Sequence, residues 1–232
     1  MSDFVFPRVV IFDWDNTLVD SYPAIAESIN VTRAAFGLET WTVEEAKVRC
    51  ARALTDSFPE WFGADWERAR DIYRGHFSTI HLDRLVALDG AEALLRFLKE
   101  RATPCFVVSN KRGDFLRSEV HALGWDALFV HVVGAEETPH PKPHRDPVDL
   151  ALGRGGLKAD DPAIWFVGDT SVDVECARNS GCTPVLVHNE AEAARLGVAL
   201  AFSDCHALRT LLYNQGDRGE PLFFGDKAAR RD

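Results

Sequence analysis

The sequence has no uninterrupted apolar run approaching the roughly 18 residues of a membrane-spanning helix, which excludes a conventional transmembrane segment. Its opening residues, MSDFVFPRVVIFDWDN, lack the basic stretch of a secretory leader, and their apolar run ends in carboxylates. The expected location is the cytosol, with no membrane partner. Cysteine is sparse: Cys50, Cys105, Cys176, Cys182 and Cys205 are odd in number and form no C-x-x-C pair. That excludes a disulfide framework and argues against a structural zinc site, leaving reduced thiols that serve mainly as small core residues. Positive charge is also short, with 26 Lys+Arg against 36 Asp+Glu and a net charge of −10. No nucleic-acid or anionic-membrane surface is expected, although a bound cation and a few local lysines can reverse the sign inside one cleft. There is no G-x-x-x-x-G-K-[ST] phosphate loop and no internal repeat.

What remains is an ordinary globular composition, 46% hydrophobic and 27% charged over 232 residues. This length suits one domain, or a core domain with a small insert. Val9-Val10-Ile11-Phe12 is a short apolar run that stops at Asp13-Trp14-Asp15-Asn16-Thr17, as a buried parallel strand would. Residues 21–85 then read as helical. Pro23 opens a helix expected through Phe36, and Thr42 with Glu45 forms a capping-box pattern for a second helix reaching about Leu54. Asp65 is the expected cap of a third, through Phe77. Trp41, Trp61 and Trp66 are expected to form the core of this segment.

From Gly90 onward helices and strands alternate. Strands are expected at 104–108, 129–133, 164–167 and 184–187, with a weak one at 200–202. Helices are expected at 91–101, 114–123, 146–152, 172–179 and 206–213. The fold class is therefore α/β, a Rossmann-like parallel sheet with a helical domain inserted after the first strand. The core comprises residues 1–20 and 86–214, the insert 21–85, and a polar tail 215–232.

In such sheets ligands sit beyond the carboxyl ends of the strands. Three predicted strands end in polar residues there: Asp13 and Asp15; Ser109 and Asn110; and Asp169, with Asp173 opening the next helix. Lys142 lies between Pro141 and Pro143. Several carboxylates in one pocket repel one another unless a cation joins them, and oxygen ligands without His or Cys suit Mg²⁺. A carboxylate beside Mg²⁺ and a lysine can attack phosphorus to form an acyl-phosphate. A second carboxyl group can protonate the leaving oxygen and later activate water. Taken singly, each piece has a plainer reading: Ser109-Asn110 can cap a helix, and Gly168-Asp169 with Asp173 can be a turn before one. His140 and His144 flank Lys142, but the prolines prevent a helix there, and surface histidines are expected rather than a zinc site.

Taken together, Phe-Asp13-Trp-Asp15-Asn-Thr17-Leu-Val, Val-Val-Ser109-Asn110, Pro-Lys142-Pro and Gly168-Asp169-Thr-Ser-Val-Asp173 resemble the four ordered motifs of the haloacid-dehalogenase-like (HAD) superfamily. The resemblance spans roughly residues 8–190, and the insert is similar to the small helical cap of the phosphoglycolate-phosphatase-like branch. It implies a Mg²⁺-dependent phosphatase acting on a small phosphorylated metabolite, as a monomer or homodimer. Asp13 would be nucleophile and metal ligand. Asp15 would be the acid/base and would lend its backbone carbonyl to the metal. Thr17 would steady that loop. Ser109 and the Asn110 amide would hold the phosphoryl group, and Lys142 would offset its charge. Asp169 would bind the metal directly, and Asp173 through water or through Lys142.

A helical lid would read the leaving group through Arg49, Arg52, Asp56 or Ser57. Arg52 can pair with a substrate carboxylate or second phosphate, or with Glu45 or Asp56 at the surface. A dehalogenase needs neither Asp15 nor a metal and is disfavoured. A phosphomutase of the same family, or a catalytically silent phosphate-binding module, remains an alternative.

Overall fold

The computed structural model describes residues 6–50 and 54–216. In chain order the strands are β1 (Val9–Phe12), β2 (Val19–Asp20), β3 (Val86–Ala87), β4 (Cys105–Arg112), β5 (His131–Ala135), β6 (Ile164–Gly168), β7 (Thr183–Val187) and β8 (Leu200–Phe202). The helices are α1 (Tyr22–Ala35), α2 (Val43–Arg49), α3 (Leu54–Phe62), α4 (Trp66–Ile80) and α5 (Ala91–Glu100). They continue with α6 (Gly113–Ala122), α7 (Asp146–Arg154), α8 (Ser171–Asn179), α9 (Glu190–Leu196) and α10 (Cys205–Gly216). The fold is α/β, as the alternation of elements requires.

Six strands form one parallel sheet in the order β5-β4-β1-β6-β7-β8. β1 is central and buried at every position. Its side chains alternate between two cores: Val10 and Phe12 face the apolar residues of α5, α6 and α10, while Val9 and Ile11 face those of α7 and α8. That is why the run is apolar throughout: both of its faces are covered. The strand order reverses between β1 and β6, so a crevice opens beyond their carboxyl ends. Asp13 and Asp169 sit at those two tips.

Helices α1 to α4 lie between the two short strands. β2 and β3 pair antiparallel, Val19 with Ala87 and Asp20 with Val86, so the chain leaves for the helices and returns from them at adjacent points. The helices share a core of Ile25, Ile29, Trp41, Phe58, Tyr73 and Phe77, to which α6 contributes Phe115. Trp41 packs edge-on to Trp61 at 5.0 Å, and Trp66 joins the cluster at its margin, so all three tryptophans serve this core.

Several boundaries differ from the sequence reading. The capping box forms, with the Thr42 amide donating to Glu45 Oε2 at 2.9 Å, but α2 ends at Arg49 rather than near Leu54. A separate helix, α3, follows, with Pro59 inside it, a residue that local propensity places outside helices. Asp65 precedes α4 but its side chain accepts no capping hydrogen bond, because a 3-10 turn over Gly63–Asp65 already leads into the helix. β5 starts two residues later than expected: Phe129 turns into the core against Trp14 instead of joining the ladder. α10 extends to Gly216, and residues 217–232 of the expected tail lie outside the described residues. Cys105, Cys176, Cys182 and Cys205 are buried and free, and Cys50 is free and half-buried.

The backbones of β5 and α6 meet at one tight point. A Cβ on Gly134 would lie 2.4 Å from Gly113 Cα and 2.8 Å from Lys111 O, and no flexible side chain stands there to yield. Gly134→Ala is expected to destabilise the protein by about 1–3 kcal/mol, the usual cost of overpacking, as read by urea denaturation. Unchanged stability would show that the two backbones are not in contact.

Candidate active site

Three strand tips and one loop converge on a cavity whose other wall is helical. Asp13 follows β1 directly, and its amide donates to Val167 O of β6 at 2.8 Å. Lys142 is buried with its ammonium 2.7 Å from Asp13 Oδ1 and 2.7 Å from Asp173 Oδ1. Asp173 lies in the first turn of α8. Its other oxygen accepts from the Thr170 amide at 3.0 Å and the Thr170 hydroxyl at 2.8 Å. Asp169 accepts from Asn16 Nδ2 at 2.8 Å and from Thr17 Oγ1 at 3.2 Å. The carboxylates of Asp13, Asp169 and Asp173 are all buried and can bring one oxygen each within 4.8 Å of one another.

This grouping is electrostatically unfavourable by itself. Burial pushes the Asp13 carboxyl up to about 7, against the pull of Lys142 and with repulsion from Asp173 and Asp15 adding to it. Burial raises Asp169 well above the ordinary carboxylate range, helped by Asp173 and Asp13. For Lys142 burial acts the other way, but Asp13 and Asp173 outweigh it and hold the ammonium charged. Three buried carboxylates thus face one buried lysine, and the unbalanced negative charge fits a divalent cation with oxygen preference.

The remaining expected residues fall as follows. β4 runs on past the expected end at 108, so Ser109 is buried within it, where the register with β5 shifts, and its hydroxyl accepts from the Lys111 amide at 3.1 Å. The Asn110 carboxamide is paired twice with the Lys142 backbone, at 3.0 and 3.1 Å, so it anchors the lysine's loop. Thr17, expected to steady the loop after β1, is fully buried with its hydroxyl on Asp169. Asp15 lines the cavity and its carboxylate lies 2.6 Å from Lys111 Nζ. Arg52 lies outside the described residues, as does the side chain of Asp56. Arg49 is not on the cavity wall; its guanidinium lies 4.9 Å from the Trp41 ring centre. Ser57 is buried and also away from that wall. His140 and His144 are exposed, with Nδ1 atoms 2.9 and 2.8 Å from the two oxygens of Asp146.

Sequence reasoning missed Lys111, Glu119, Arg70 and Arg74. Arg70 and Arg74 of α4 line the helical wall of the cavity beside Tyr22, Tyr73 and Phe77, and Arg74 pairs with Glu136 across from it. Glu119 carried a readable signal: it falls on the apolar stripe of α6 with Phe115, Leu116 and Val120, where a carboxylate needs a buried partner.

The comparisons with known proteins agree with this geometry. Residues 10–187 match the family model described as haloacid dehalogenase-like hydrolase. The chain belongs to that family. The phosphoglycolate phosphatase of Mannheimia succiniciproducens is 31% identical over 193 residues, covering 77% of this chain and 84% of its own. That of Pectobacterium atrosepticum is 29% identical over 194 residues, covering 80% and 82%. The crystal structure of a HAD-superfamily hydrolase from Ehrlichia chaffeensis covers 91% of this chain and 98% of its own, at 25% identity and a TM-score of 0.64. This hydrolase is thus an enzyme of phosphatase type, a phosphoglycolate-phosphatase-like member of the family. No helix among its described residues is long and apolar enough to cross a membrane.

Gly168 is what lets Asp173 approach the tip of β6. A Cβ there would lie 2.3 Å from Asp173 Cβ and Cγ. Gly168→Ala is expected to push that carboxylate off Lys142 and to lower phosphate release by roughly a hundredfold, the scale of an ångström-sized misplacement. Turnover at the wild-type rate would mean that Asp173 has no positional role.

Proposed function

We propose that this hydrolase is a Mg²⁺-dependent phosphomonoesterase that turns over small phosphorylated metabolites through an aspartyl-phosphate on Asp13. The observation that carries the reading is Lys142, buried and shared at 2.7 Å between Asp13 and Asp173, with Asp169 in the same cluster. An aspartate at a strand tip whose ionised form a lysine favours, with its second oxygen unclaimed by that lysine, is equipped to attack phosphorus once a cation offsets its burial.

In the first half-reaction an Asp13 carboxylate oxygen forms a bond to phosphorus while the bond from phosphorus to the leaving oxygen breaks. Asp15 delivers a proton to that oxygen and so releases an alcohol. In the second, Asp15 takes a proton from water as the water oxygen attacks the phosphorus of the aspartyl-phosphate. Inorganic phosphate leaves and Asp13 is restored. Lys142 and Ser109 hold the phosphoryl oxygens through both steps. Asp13 and Asp169, with the Asp15 backbone carbonyl and Asp173 in support, would hold Mg²⁺, which supplies positive charge to offset that on the phosphoryl group.

Helices α1 to α4 form a roof over this chemistry, and we assign them the role of a lid that excludes water and reads the leaving group. Arg70 and Arg74 put cationic groups on that roof, and a leaving group carrying a carboxylate or a second anion could take the place of Asp71 or Glu136, with which they now pair. Phosphoglycolate, the substrate named for the relatives above, has that form and is the first compound to test.

Asp13→Asn is expected to lower phosphate release by at least about a thousandfold while leaving the fold intact, measured with a panel of phosphorylated metabolites in Mg²⁺. Retained turnover would exclude Asp13 as nucleophile, and transfer of phosphate between positions of a sugar without release would make the enzyme a mutase. Mg²⁺ at a hundred times its dissociation constant should stabilise the wild-type protein by about 2.7 kcal/mol, visible as a rise in melting temperature of roughly 5–10 °C. No shift in any Mg²⁺ concentration would remove the cation from the proposal.

A further inference from the structure

Beside the carboxylate cluster lies a second buried charge network, centred on Lys111 at the end of β4. Its side chain is 4% exposed, and its ammonium lies 2.6 Å from Asp15 Oδ1, 2.6 Å from Glu119 Oε2 and 3.2 Å from Ser21 Oγ. The ammonium donates hydrogen bonds to Glu119 and Ser21, and holds Asp15 Oδ1, which has no hydrogen-bond partner, as a close ion pair. Glu119, 1% exposed, is itself fixed: it accepts from Trp14 Nε1 at 2.6 Å and faces His81 Nδ1 at 2.8 Å. Trp14 stands between Asp13 and Asp15 in the chain, and His81 caps the end of α4. Glu119 therefore ties the reacting loop, the tip of β4 and the end of the helical roof to one carboxylate.

A lysine whose only task was to neutralise Glu119 would need no further acid. This one also meets Asp15, the member of the network with a side chain 24% exposed and facing the cavity. Asp15 Oδ1 is buried against the ammonium, so the exposed part of the carboxylate is its other oxygen. We propose that Lys111 is a positioning residue for leaving-group proton transfer: anchored by Glu119 and Ser21, it fixes Asp15 by one oxygen and turns the other toward the leaving oxygen above Asp13. This rests on the reading of Asp15 as the acid, and the sequence motifs do not assign Lys111 to it.

The leaving group separates this role from plain structural support. 4-Nitrophenolate departs without a proton, whereas an alkoxide needs one, so a misplaced acid harms an alkyl phosphate more than an aryl one. The full chain in Mg²⁺ is assayed for kcat/KM on 4-nitrophenyl phosphate and on a simple alkyl phosphate, because kcat/KM reports the steps up to leaving-group departure. Lys111→Met combined with Glu119→Gln removes the lysine and its deeply buried partner together, so that Asp15, which is partly open to the cavity, is the only carboxylate left without the ammonium. It is expected to melt cooperatively and to lose at least about tenfold more on the alkyl than on the aryl ester, part of the range that acid catalysis supplies. Lys111→Arg, which keeps the charge, should show a smaller skew in the same direction. Asp15→Asn should show the largest.

Equal losses on the two esters in the folded double variant, or no loss, would overturn the role of Lys111 while the skew in Asp15→Asn preserved that of Asp15. Absence of skew in Asp15→Asn would instead overturn the acid itself, and Lys111 with it. Should the double variant fail to fold, Lys111→Arg decides: a skew toward alkyl loss supports the proposal, and an equal loss or none defeats it.

Discussion

The structure depends on one buried ammonium placed between two buried carboxylates. Lys142 touches Asp13 from the tip of β1 and Asp173 from the start of α8. Each of the three is costly to bury alone, and each is tolerable because of the others. The surrounding backbone is arranged around that demand. Asn110 grips the lysine's own peptide groups from β4, the Thr170 amide and hydroxyl hold Asp173 from the far side, and Gly168 leaves room for it. Asp169 enters the same space without a lysine contact of its own, supported by Asn16 and Thr17. The result is a carboxylate cluster more acidic than Lys142 alone can balance, a deficit that a divalent cation would make good.

Two charge networks share the loop after β1. One is the Lys142 group, nearer to Asp13; the other is Lys111 with Glu119, nearer to Asp15. Their separation lets neighbouring aspartates do different work. Asp13 is buried and pressed against a lysine and like charges, while Asp15 is partly open to the cavity. Residues two apart at the end of a strand are thereby given unlike surroundings, as the proposed division into nucleophile and acid requires.

Much of this was legible in the amino-acid order. Apolar runs ending in Asp13 and Asp169 mark the tips of β1 and β6, the run ending at Ser109 marks the register shift within β4, and alternation with helices places all three at one edge of a parallel sheet. Lys142 between prolines could be associated with them only through the motif order, because nothing local says which way that loop folds. The parts that were not legible depend on packing at long range. Lys111 reads as a surface lysine until Glu119, eight residues on, is seen to be buried beneath it. Arg70 and Arg74 are two among several arginines of the helical segment, and only the docking of α4 selects them for the cavity. Pro59 concealed α3, since local propensity disfavours a helix that the aromatic cluster around Phe58 stabilises.

Phe115 belongs by sequence to α6 of the sheet domain, yet its ring sits 5.2 Å from Phe77 and 4.9 Å from His81 on the helical side. The four helices have therefore borrowed an aromatic plug from the body they cover. Swinging fully away would strip that plug and wet a surface on the order of the 150–250 Å² that a large aromatic buries. Rocking about Phe115 keeps it dry. If the proposed lid opens, tilting on this greasy bearing would therefore cost less than detachment.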